Sequence, residues 1–268
     1  MIKLIASDMD GTLLNDRKEL PGDFFEVFDE LERRGIKITV ASGRSYDAVA
    51  HVFHEEYRTR LDFICDNGAN VIHEGKQVSV TPLDRPTFEQ LIRACEDIGG
   101  LRVLVCAGRG TYHLTADAEF SAEIAKYYKN HIPCDDLLSV DDVIYKLAVC
   151  DMKGTQQHAK PAIDAIFGDR LNVQVSGPIW MDVMGAGVSK GSALRALGKH
   201  LGISADDTMA FGDFYNDADM LQYAGWSFAM ENGNPDIKRM TRFLARSNNE
   251  NGVLRAIRQY ALQEDSIK

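Results

Sequence analysis

The sequence predicts an α/β protein in which a mainly parallel sheet is interrupted by an inserted α+β domain with an antiparallel sheet. Near both ends of the chain, short apolar strands alternate with amphipathic helices, a rhythm typical of parallel sheets that bind ligands at the carboxyl ends of their strands. Between Leu83 and Met184, paired strands around tight turns indicate an antiparallel sheet with helices on one face. We therefore expect a core of residues 1–82 and 185–268 and an inserted domain of residues 83–184.

The elements of the first part of the core follow from periodicity and from turn residues. Apolar side chains at Phe24, Val27 and Leu31 share one face of a helix that Gly35 ends. In order, we predict strand 2–6, helix 23–34, strand 36–41, helix 45–54, strand 63–65 and a hairpin of strands 71–72 and 77–80.

The inserted domain and the rest of the core are interpreted in the same way. Within the insertion we predict helix 87–97, strands 101–106 and 111–115, helix 117–129, strand 145–150, helix 156–167 and strands 171–175 and 179–183. After it we predict helix 189–201, strand 208–211, a helix from Asp217, strand 226–230, a short helix after Pro235 and a terminal helix 252–263. The two connections form the expected hinge, and hinged insertions close active sites against water.

Composition excludes several classes of function. The 268 residues, 45% hydrophobic and 26% charged, are typical of a globular protein, and the net charge of −10 argues against a nucleic-acid partner. No apolar run is long enough to span a membrane, and Asp8 and Asp10 interrupt what would be the apolar part of a signal peptide. Five widely spaced cysteines without a CxxC motif are typical of reduced thiols, so we expect a cytoplasmic location.

Two carboxylates, Asp8 and Asp10, stand where the first apolar strand ends. Burying neighbouring carboxylates is costly unless a cation or a proton compensates, while the turn at Gly11 and Thr12 offers backbone N–H groups to an anion. This combination favours phosphoryl chemistry with Asp8 as a covalent nucleophile. An ordinary Asp-rich turn explains these residues equally well, so the interpretation depends on the other motifs.

Three further turns are suited to bind a phosphate or a metal. Ser42 and Gly43 follow the second strand and offer a hydroxyl and N–H groups, although a plain N-cap serine would look the same. Lys190 opens a helix, where the helix dipole disfavours a cation unless an anion binds; a solvent-exposed lysine is the alternative. Asp213 and Asp217 form a second acidic turn, which supplies the oxygen ligands that Mg²⁺ prefers or is simply a polar turn.

Together, these motifs resemble the signature of the haloacid dehalogenase (HAD) superfamily. They occur in its usual order, as DMDGTLL at 8–14, SGR at 42–44, SKG at 189–191 and GDFYND at 212–217. The place of the insertion resembles the Cof-type hydrolases of subfamily IIB, as do the NGA turn at 67–69 and the NGV turn at 251–253. The resemblance spans nearly the whole chain and implies a Rossmann-like three-layer core with the inserted domain as an α+β cap.

The resemblance implies a Mg²⁺-dependent phosphomonoester hydrolase that acts on small phosphorylated metabolites. Asp8 would attack phosphorus and carry an aspartyl-phosphate, and Asp10 would protonate the leaving alcohol and then activate water. The Mg²⁺ would be held by Asp8, by the backbone carbonyl of Asp10 and by Asp213, with Asp217 as a direct ligand or in support. Negative charge spreads over the phosphoryl oxygens in the transition state, which such a cation neutralises.

The other residues of the four motifs would bind the phosphoryl group. By resemblance these are the side chains of Ser42, Lys190 and Asn216 and the backbone amides of Met9 and Gly43. One turn departs from the family pattern, because the usual Met-Gly-Asn-Ala is replaced by MENGNP at 230–235. The change adds the bulk and charge of Glu231 but leaves the expected nucleophile untouched.

Two other functions fit the same motifs. A phosphomutase also needs an aspartyl-phosphate and a second acid, and a metal-binding phosphate sensor needs neither turnover nor Asp10. Sugar phosphates are the substrates that the resemblance favours, followed by nucleotide or cofactor phosphates, and the sequence does not indicate an oligomeric state. Candidate substrate contacts in the insertion are Arg109, His113, Lys153, Trp180, Asp182 and Met184, of which we expect Trp180 to pack in the insertion's own core and His113 and Lys153 to face solvent.

Overall fold

The structure, a computed structural model, describes residues 1–115, 120, 124, 128 and 130–263. The described strands are β1 (Leu4–Asp8), β2 (Lys37–Ala41), β3 (Asp62–Cys65), β4 (Asn70–His73), β5 (Lys76–Val80), β6 (Leu101–Ala107), β7 (Gly110–Leu114), β8 (His131–Cys134), β9 (Ile144–Asp151), β10 (Leu171–Val175), β11 (Trp180–Gly185), β12 (Thr208–Gly212), β13 (Trp226–Met230) and β14 (Phe243–Ala245). The described α-helices are α1 (Phe24–Arg33), α2 (Tyr46–Ala50), α3 (Glu55–Arg58), α4 (Arg85–Ile98), α5 (Ala159–Phe167), α6 (Lys190–Leu201), α7 (Ala218–Tyr223), α8 (Pro235–Met240) and α9 (Gly252–Ile257).

Eight strands form a first sheet, in the order β14-β13-β12-β1-β2-β3-β4-β5. Neighbouring strands are parallel from β14 to β3, and β4 and β5 add antiparallel strands at one edge. The turns that follow β12, β1, β2 and β3 therefore open at one edge of the sheet, side by side. This is the mainly parallel sheet that the sequence predicted.

Helices cover both faces of the first sheet. In β1, Ile5 belongs to the apolar cluster that contains Phe24 and Leu31 of α1, whereas Leu4 and Ala6 belong to the cluster that contains residues of α6 and α7. Successive side chains of a strand point to opposite faces, so an apolar strand such as β1 needs cover on both. The result is the predicted three-layer arrangement.

Six strands form a second sheet, in the order β10-β11-β9-β6-β7-β8. Neighbouring strands in this sheet are antiparallel, except for β7 and β8, which are parallel. Helices α4 and α5 pack on it through an apolar cluster that includes Phe88, Leu91 and Ile163. The predicted class, a parallel core sheet with a second sheet of antiparallel strands, is confirmed. We call residues 83–184 the inserted segment; the exact domain boundaries stay a prediction.

The structure differs from the predicted elements mainly at edges and ends. Two strands, β8 and β14, were not predicted, because each is short and pairs with one neighbour only, and β8 contains Pro133. The helix predicted over 45–54 ends at Ala50 as α2, and α3 is a separate short helix that was not predicted. The helix predicted over 117–129 lies outside the described residues, apart from 120, 124 and 128. Over the described part of the chain, no helix is both long and apolar enough to cross a membrane.

Candidate active site

The predicted site residues lie at the carboxyl edge of the first sheet. Asp8 is the last residue of β1, and Ser42, Asn67 and Asp213 follow β2, β3 and β12 within two residues. These four strands are consecutive in the sheet, in the order β12-β1-β2-β3. Residues that are far apart in the sequence therefore become neighbours through strand order alone.

Lys190 lies at the centre of the site. Its side chain is fully buried at the start of α6, and its Nζ donates to Asp8 Oδ1 at 2.6 Å and to Asp217 Oδ1 at 2.7 Å. Burial by itself lowers the pKa of Lys190, but the charges of Asp217 and Asp8 outweigh that effect and hold it above the ordinary value. The side chain of Ser189 caps the helix by accepting the N–H of Ser192. Lys190 is thus a fixed cation between two carboxylates.

Asp217 shapes the second acidic turn. It is fully buried, and its Oδ2 accepts the backbone N–H of Asp213 at 2.9 Å and that of Phe214 at 3.2 Å, while its Oδ1 accepts from Lys190. A Cβ at Gly212 would lie 2.5 Å from the Cβ of Asp217, so only glycine fits there. Because both of its oxygens are engaged, Asp217 holds Lys190 and Asp213 in position.

Three carboxylates of the site are arranged to hold a metal ion. One oxygen from each of Asp8, Asp213 and Asp217 lies within 4.8 Å of the others. Burial raises the pKa of Asp8 well above its ordinary value, with the charges of Asp217 and Asp213 adding to the effect and Lys190 opposing it. Burial, followed by the charge of Asp217, raises the pKa of Asp213 to about 7. Three carboxylates with one lysine leave excess negative charge in a buried place, and their hard oxygen donors fit Mg²⁺.

The side chain of Asp10 is paired with two cations outside this cluster. Its Oδ1 accepts from Arg44 at 2.6 Å and from Lys18 at 2.8 Å, and the side chain is 34% exposed. The chain turns at Gly11, whose φ is +81°, and a Cβ there would lie 2.5 Å from Asp213 Oδ2, so the two acidic turns touch. Asp10 therefore stands on the solvent side of the buried carboxylates, and its metal contact through the backbone carbonyl stays a prediction.

The remaining predicted phosphate ligands lie on the same turns. Ser42 is buried and its Oγ accepts the N–H of Arg44 at 3.2 Å. Met9 is fully buried, and its carbonyl accepts the N–H of Leu14, which closes the turn after Asp8. The amide of Asn216 reaches the turn after β3, where it donates to Asn67 Oδ1 at 3.3 Å. Their roles toward a phosphate stay predictions.

A second buried lysine, Lys146 in β9, was not singled out from the sequence. It is 2% exposed, and its Nζ donates at 2.6 Å both to the carbonyl of Gly43 and to Asp182 Oδ1. Asp182 Oδ2 in turn accepts from Asn67 Nδ2 at 2.9 Å. This pair, which we call the Lys146–Asp182 bridge, connects the second sheet to two turns of the site. The signal in the sequence was a lysine inside an otherwise apolar strand.

Of the six candidate substrate contacts, Asp182 reaches these turns through hydrogen bonds, and the buried Met184 shares an apolar cluster with Ala69 of the turn at 67–69. The expectation that His113 faces solvent was wrong, since it is 3% exposed and its Nε2 lies 3.2 Å from the Nδ1 of His131. The others lie elsewhere in the inserted segment, as Trp180 stacked on Phe120 and the exposed Arg109 and Lys153.

Comparison with known proteins decides the family. Residues 5–257 match the sequence profile of the haloacid dehalogenase-like hydrolases. This chain belongs to that family. This confirms the superfamily resemblance carried by the four motifs and the Cof-type resemblance carried by the place of the insertion, and the protein is a hydrolase.

Individual relatives of this haloacid dehalogenase-like hydrolase match along nearly its whole length. The 5-amino-6-(5-phospho-D-ribitylamino)uracil phosphatase of Escherichia coli is 30% identical over 258 residues, which cover 96% of this chain and 95% of the relative. The crystal structure of SMU.1108c from Streptococcus mutans has a TM-score of 0.90 at 27% identity and covers 98% of this chain and 100% of that one. The subclass IIB sugar phosphatase BT4131, at 19% identity and a TM-score of 0.81 over 97% of this chain and 99% of its own, shares the fold.

Proposed function

We propose that the protein is a Mg²⁺-dependent phosphomonoester hydrolase that works through an aspartyl-phosphate on Asp8. The observation that carries this proposal is the buried cluster in which Lys190 contacts Asp8 and Asp217, with Asp213 beside them. Asp8 lies between the cationic Lys190, which can bind an anion, and two further carboxylates, which can bind a cation. The cluster therefore suits a ligand that combines an anion with a cation. A phosphate together with Mg²⁺ is such a ligand.

The reaction consists of two displacements at phosphorus. In the first, a carboxylate oxygen of Asp8 bonds to phosphorus while the bond from phosphorus to the leaving oxygen breaks, and Asp10 gives that oxygen a proton. In the second, water attacks the same phosphorus, Asp10 takes a proton from the water, and the bond from phosphorus to Asp8 breaks. The products are the alcohol, inorganic phosphate and the free carboxylate of Asp8.

The position of Asp10 suits its assigned part in both steps. With one-third of its side chain exposed, it has the access to water that the second displacement needs. Arg44 and Lys18 restrict its orientation, each through an ion pair of less than 3 Å. Proton transfer requires a donor within hydrogen-bond reach of the leaving oxygen, and we assign that position to Asp10 when the substrate is bound.

Several groups of the site can neutralise or hydrogen-bond the negative charge of the transferring phosphoryl group. We assign Lys190, the Ser42 hydroxyl, the Asn216 amide and the N–H groups of Met9 and Gly43 to its oxygens. Mg²⁺, held by Asp8 and Asp213 when bound, neutralises part of the same charge. Asp217 is assigned to positioning rather than to direct ligation, because Lys190 and two backbone N–H groups occupy its oxygens.

We infer that the substrates are small phosphorylated metabolites, with phosphorylated sugars as the first class to test. The Escherichia coli relative is named as a phosphatase of a phosphorylated ribitylamino compound. Residues 83–184 are the part that we assign to substrate selection, because the Lys146–Asp182 bridge brings that segment against the turns at Gly43 and Asn67.

The first test is phosphate release from a panel of phosphorylated metabolites, with Mg²⁺ or with EDTA. We expect release that needs Mg²⁺, that disappears in Asp8→Asn and that is unchanged in Asp169→Asn, an exposed aspartate of the inserted segment. Asp10→Asn should slow both displacements with these substrates. With 4-nitrophenyl phosphate, whose leaving group needs no proton, mainly the second displacement slows, so intact-protein mass spectrometry after mixing should detect one added phosphoryl group.

Two results would contradict the proposal. Undiminished release by Asp8→Asn would exclude a nucleophilic role for that residue. Binding of Mg²⁺ without release of phosphate from any compound would favour a phosphate sensor or a phosphomutase instead.

A further inference from the structure

A cavity of about 200 Å³ lies between the first sheet and the inserted segment. On the side of the first sheet it is lined by residues 45–47 and Asp66. On the side of the inserted segment it is lined by small residues of the hairpin formed by β6 and β7, whose short side chains leave the space open. For comparison, a protein cavity of about 150 Å³ holds a ring the size of benzene. A small organic group therefore fits into it.

Asp66 is a carboxylate without hydrogen-bond partners in the floor of this cavity. The residue is fully buried, and neither Oδ1 nor Oδ2 has a partner among the residues that the structure describes. Burial raises the pKa of Asp66 to about 7. The positive charge of Lys146 opposes this rise, and the negative charge of Asp182 adds to it. Buried polar groups are nearly always paired in native proteins, so an unpaired carboxylate at a cavity calls for a ligand.

Several polar groups around the cavity are already engaged. The amide of Gln77 donates to Asn70 Oδ1 at 2.9 Å and to the hydroxyl of Tyr145 at 3.2 Å, and the amide of Asn130 donates to a backbone carbonyl at 2.9 Å. Lys146, whose charge reaches Asp66, is held in the bridge by two short hydrogen bonds. An occupant of the cavity must therefore bring its own donors to Asp66.

The cavity adjoins the candidate active site. Residues 45–47 continue the turn that begins at Ser42, and Asp66 immediately precedes Asn67, which contacts Asn216. Strands β1 and β3 are separated only by β2, and neighbouring strands lie about 4.8 Å apart, so Asp66 lies roughly 10 Å along the sheet edge from Asp8. This separation suits the two ends of one small phosphorylated molecule.

We propose that Asp66 binds an amine on the leaving group of the substrate, so that the cavity selects aminated phosphomonoesters over their hydroxyl analogues. The inference rests on the proposed function, because it names the class of leaving group for the reaction at Asp8. A protonated amine brings a positive charge and several N–H donors to the two oxygens of Asp66, whereas a hydroxyl brings one uncharged donor. A site with a buried unpaired acceptor discriminates against a ligand that lacks the matching donor.

The test compares phosphomonoesters that differ only in an amine or a hydroxyl. Two suitable pairs are glucosamine 6-phosphate with glucose 6-phosphate, and 2-aminoethyl phosphate with 2-hydroxyethyl phosphate. We expect kcat/KM of the wild type to be at least about tenfold higher for the amine in one or both pairs, the size of one charged hydrogen bond. Asp66→Asn, which keeps the shape, should reduce that ratio to less than about threefold.

The matched control is Asp169→Asn, at an exposed carboxylate outside the cavity. Its charge is screened by water, so the preference for the amine should persist there. The preference is also measured without turnover, as the ratio of dissociation constants of each pair for Asp8→Asn by calorimetry, with melting temperatures to show that every variant is folded.

The outcomes separate this inference from the proposed function. No preference in either pair, or a preference that survives Asp66→Asn, overturns the role of Asp66 even if phosphate is released normally. Absence of release from every compound, with the binding preference intact and dependent on Asp66, overturns the hydrolase and supports the role of Asp66 in binding.

Discussion

Two buried lysines, Lys190 and Lys146, have the same kind of surroundings but belong to different parts of the molecule. Both are at most 2% exposed, and each Nζ donates two hydrogen bonds of 2.7 Å or less to buried oxygens. The partners of Lys190 are two carboxylates at the carboxyl edge of the first sheet, at the end of β1 and in the turn after β12. Those of Lys146 are Asp182 of its own sheet and the carbonyl of Gly43 across the interface.

The difference shows that a buried lysine with two acceptors can serve either ligand binding or the joining of two parts of the chain. Lys190 faces a surplus of carboxylates that a phosphate and a metal would balance, so its surroundings are incomplete without ligands. Lys146 is matched by Asp182 and holds two parts of the chain together. Removing Lys190 should therefore affect chemistry first, and removing Lys146 should affect stability and alignment first. The following predictions test this distinction in order of decreasing effect.

The largest effect is expected for Lys190→Met. We predict that phosphate release at saturating substrate falls about a thousandfold or more, because the variant lacks the cation assigned to the transition-state charge. Lys146→Met, the matched substitution, should cost only about tenfold to a hundredfold, through misalignment of the turn at Gly43. Equal losses in the two variants would remove the distinction between the lysines.

The next effect concerns the stability of the bridge. Lys146→Met should lower the free energy of unfolding by about 3 kcal/mol or more, because it leaves Asp182 buried without its cation. The double variant Lys146→Met/Asp182→Leu should recover part of that loss, since apolar replacements for both partners leave no unpaired charge. Urea denaturation followed by circular dichroism measures both, and a double variant less stable than the single one would contradict this account.

Stabilisation by Mg²⁺ should depend on the carboxylates around Lys190 and not on those around Lys146. Adding Mg²⁺ at about 100 times its dissociation constant should stabilise the wild type by roughly 2.7 kcal/mol. The rise in melting temperature should vanish in Asp213→Asn and persist in Asp66→Asn, which changes a carboxylate outside the cluster of Asp8, Asp213 and Asp217. Loss of the rise in Asp66→Asn alone would place the metal beside Lys146.

The smallest effect, when it is counted per pH unit, is a pH dependence of stability on the Lys146 side. The pKa of Asp66 rises from 3.8 to about 7 on folding, so between these values the folded chain holds a proton that the unfolded chain has released. Stability should therefore fall as pH rises from about 4 to 7, by up to about 1.4 kcal/mol per pH unit from this group. Lys146, Asp182 and Asp47 are the charged groups that modulate this pKa.

The matching variant is Asp66→Asn, which should flatten the slope in that pH window and make the protein more stable than the wild type at pH 7. Asp169→Asn, at an exposed position, serves as the control and should leave the slope unchanged. Denaturation midpoints at half-unit pH steps measure the effect, and parallel curves for wild type and Asp66→Asn would contradict it.

The elements that the sequence predicted well are those whose signal is local. Strand β1 begins with three apolar residues, α1 has its apolar residues on one face, and glycines mark the turns, so their positions follow from local patterns. Short edge strands such as β8 and β14 have no such pattern. His113 shows the limit for single residues, because its burial depends on His131 and the neighbouring strands rather than on its own flanks.

By itself, the sequence determined the α/β class, the inserted segment and the four motifs, because strand ends and polar turns are encoded by neighbouring residues. Only the tertiary structure decided that Asp217 is held by Lys190 and backbone N–H groups, that Asp10 pairs with Arg44, and that Asp66 has no partner. It also placed the Lys146–Asp182 bridge against the turn at Gly43. Apart from the N–H groups of the turn that contains Asp217, these contacts join residues 27 to 103 positions apart. Their distances depend on how strands and sheets pack, which no local pattern records.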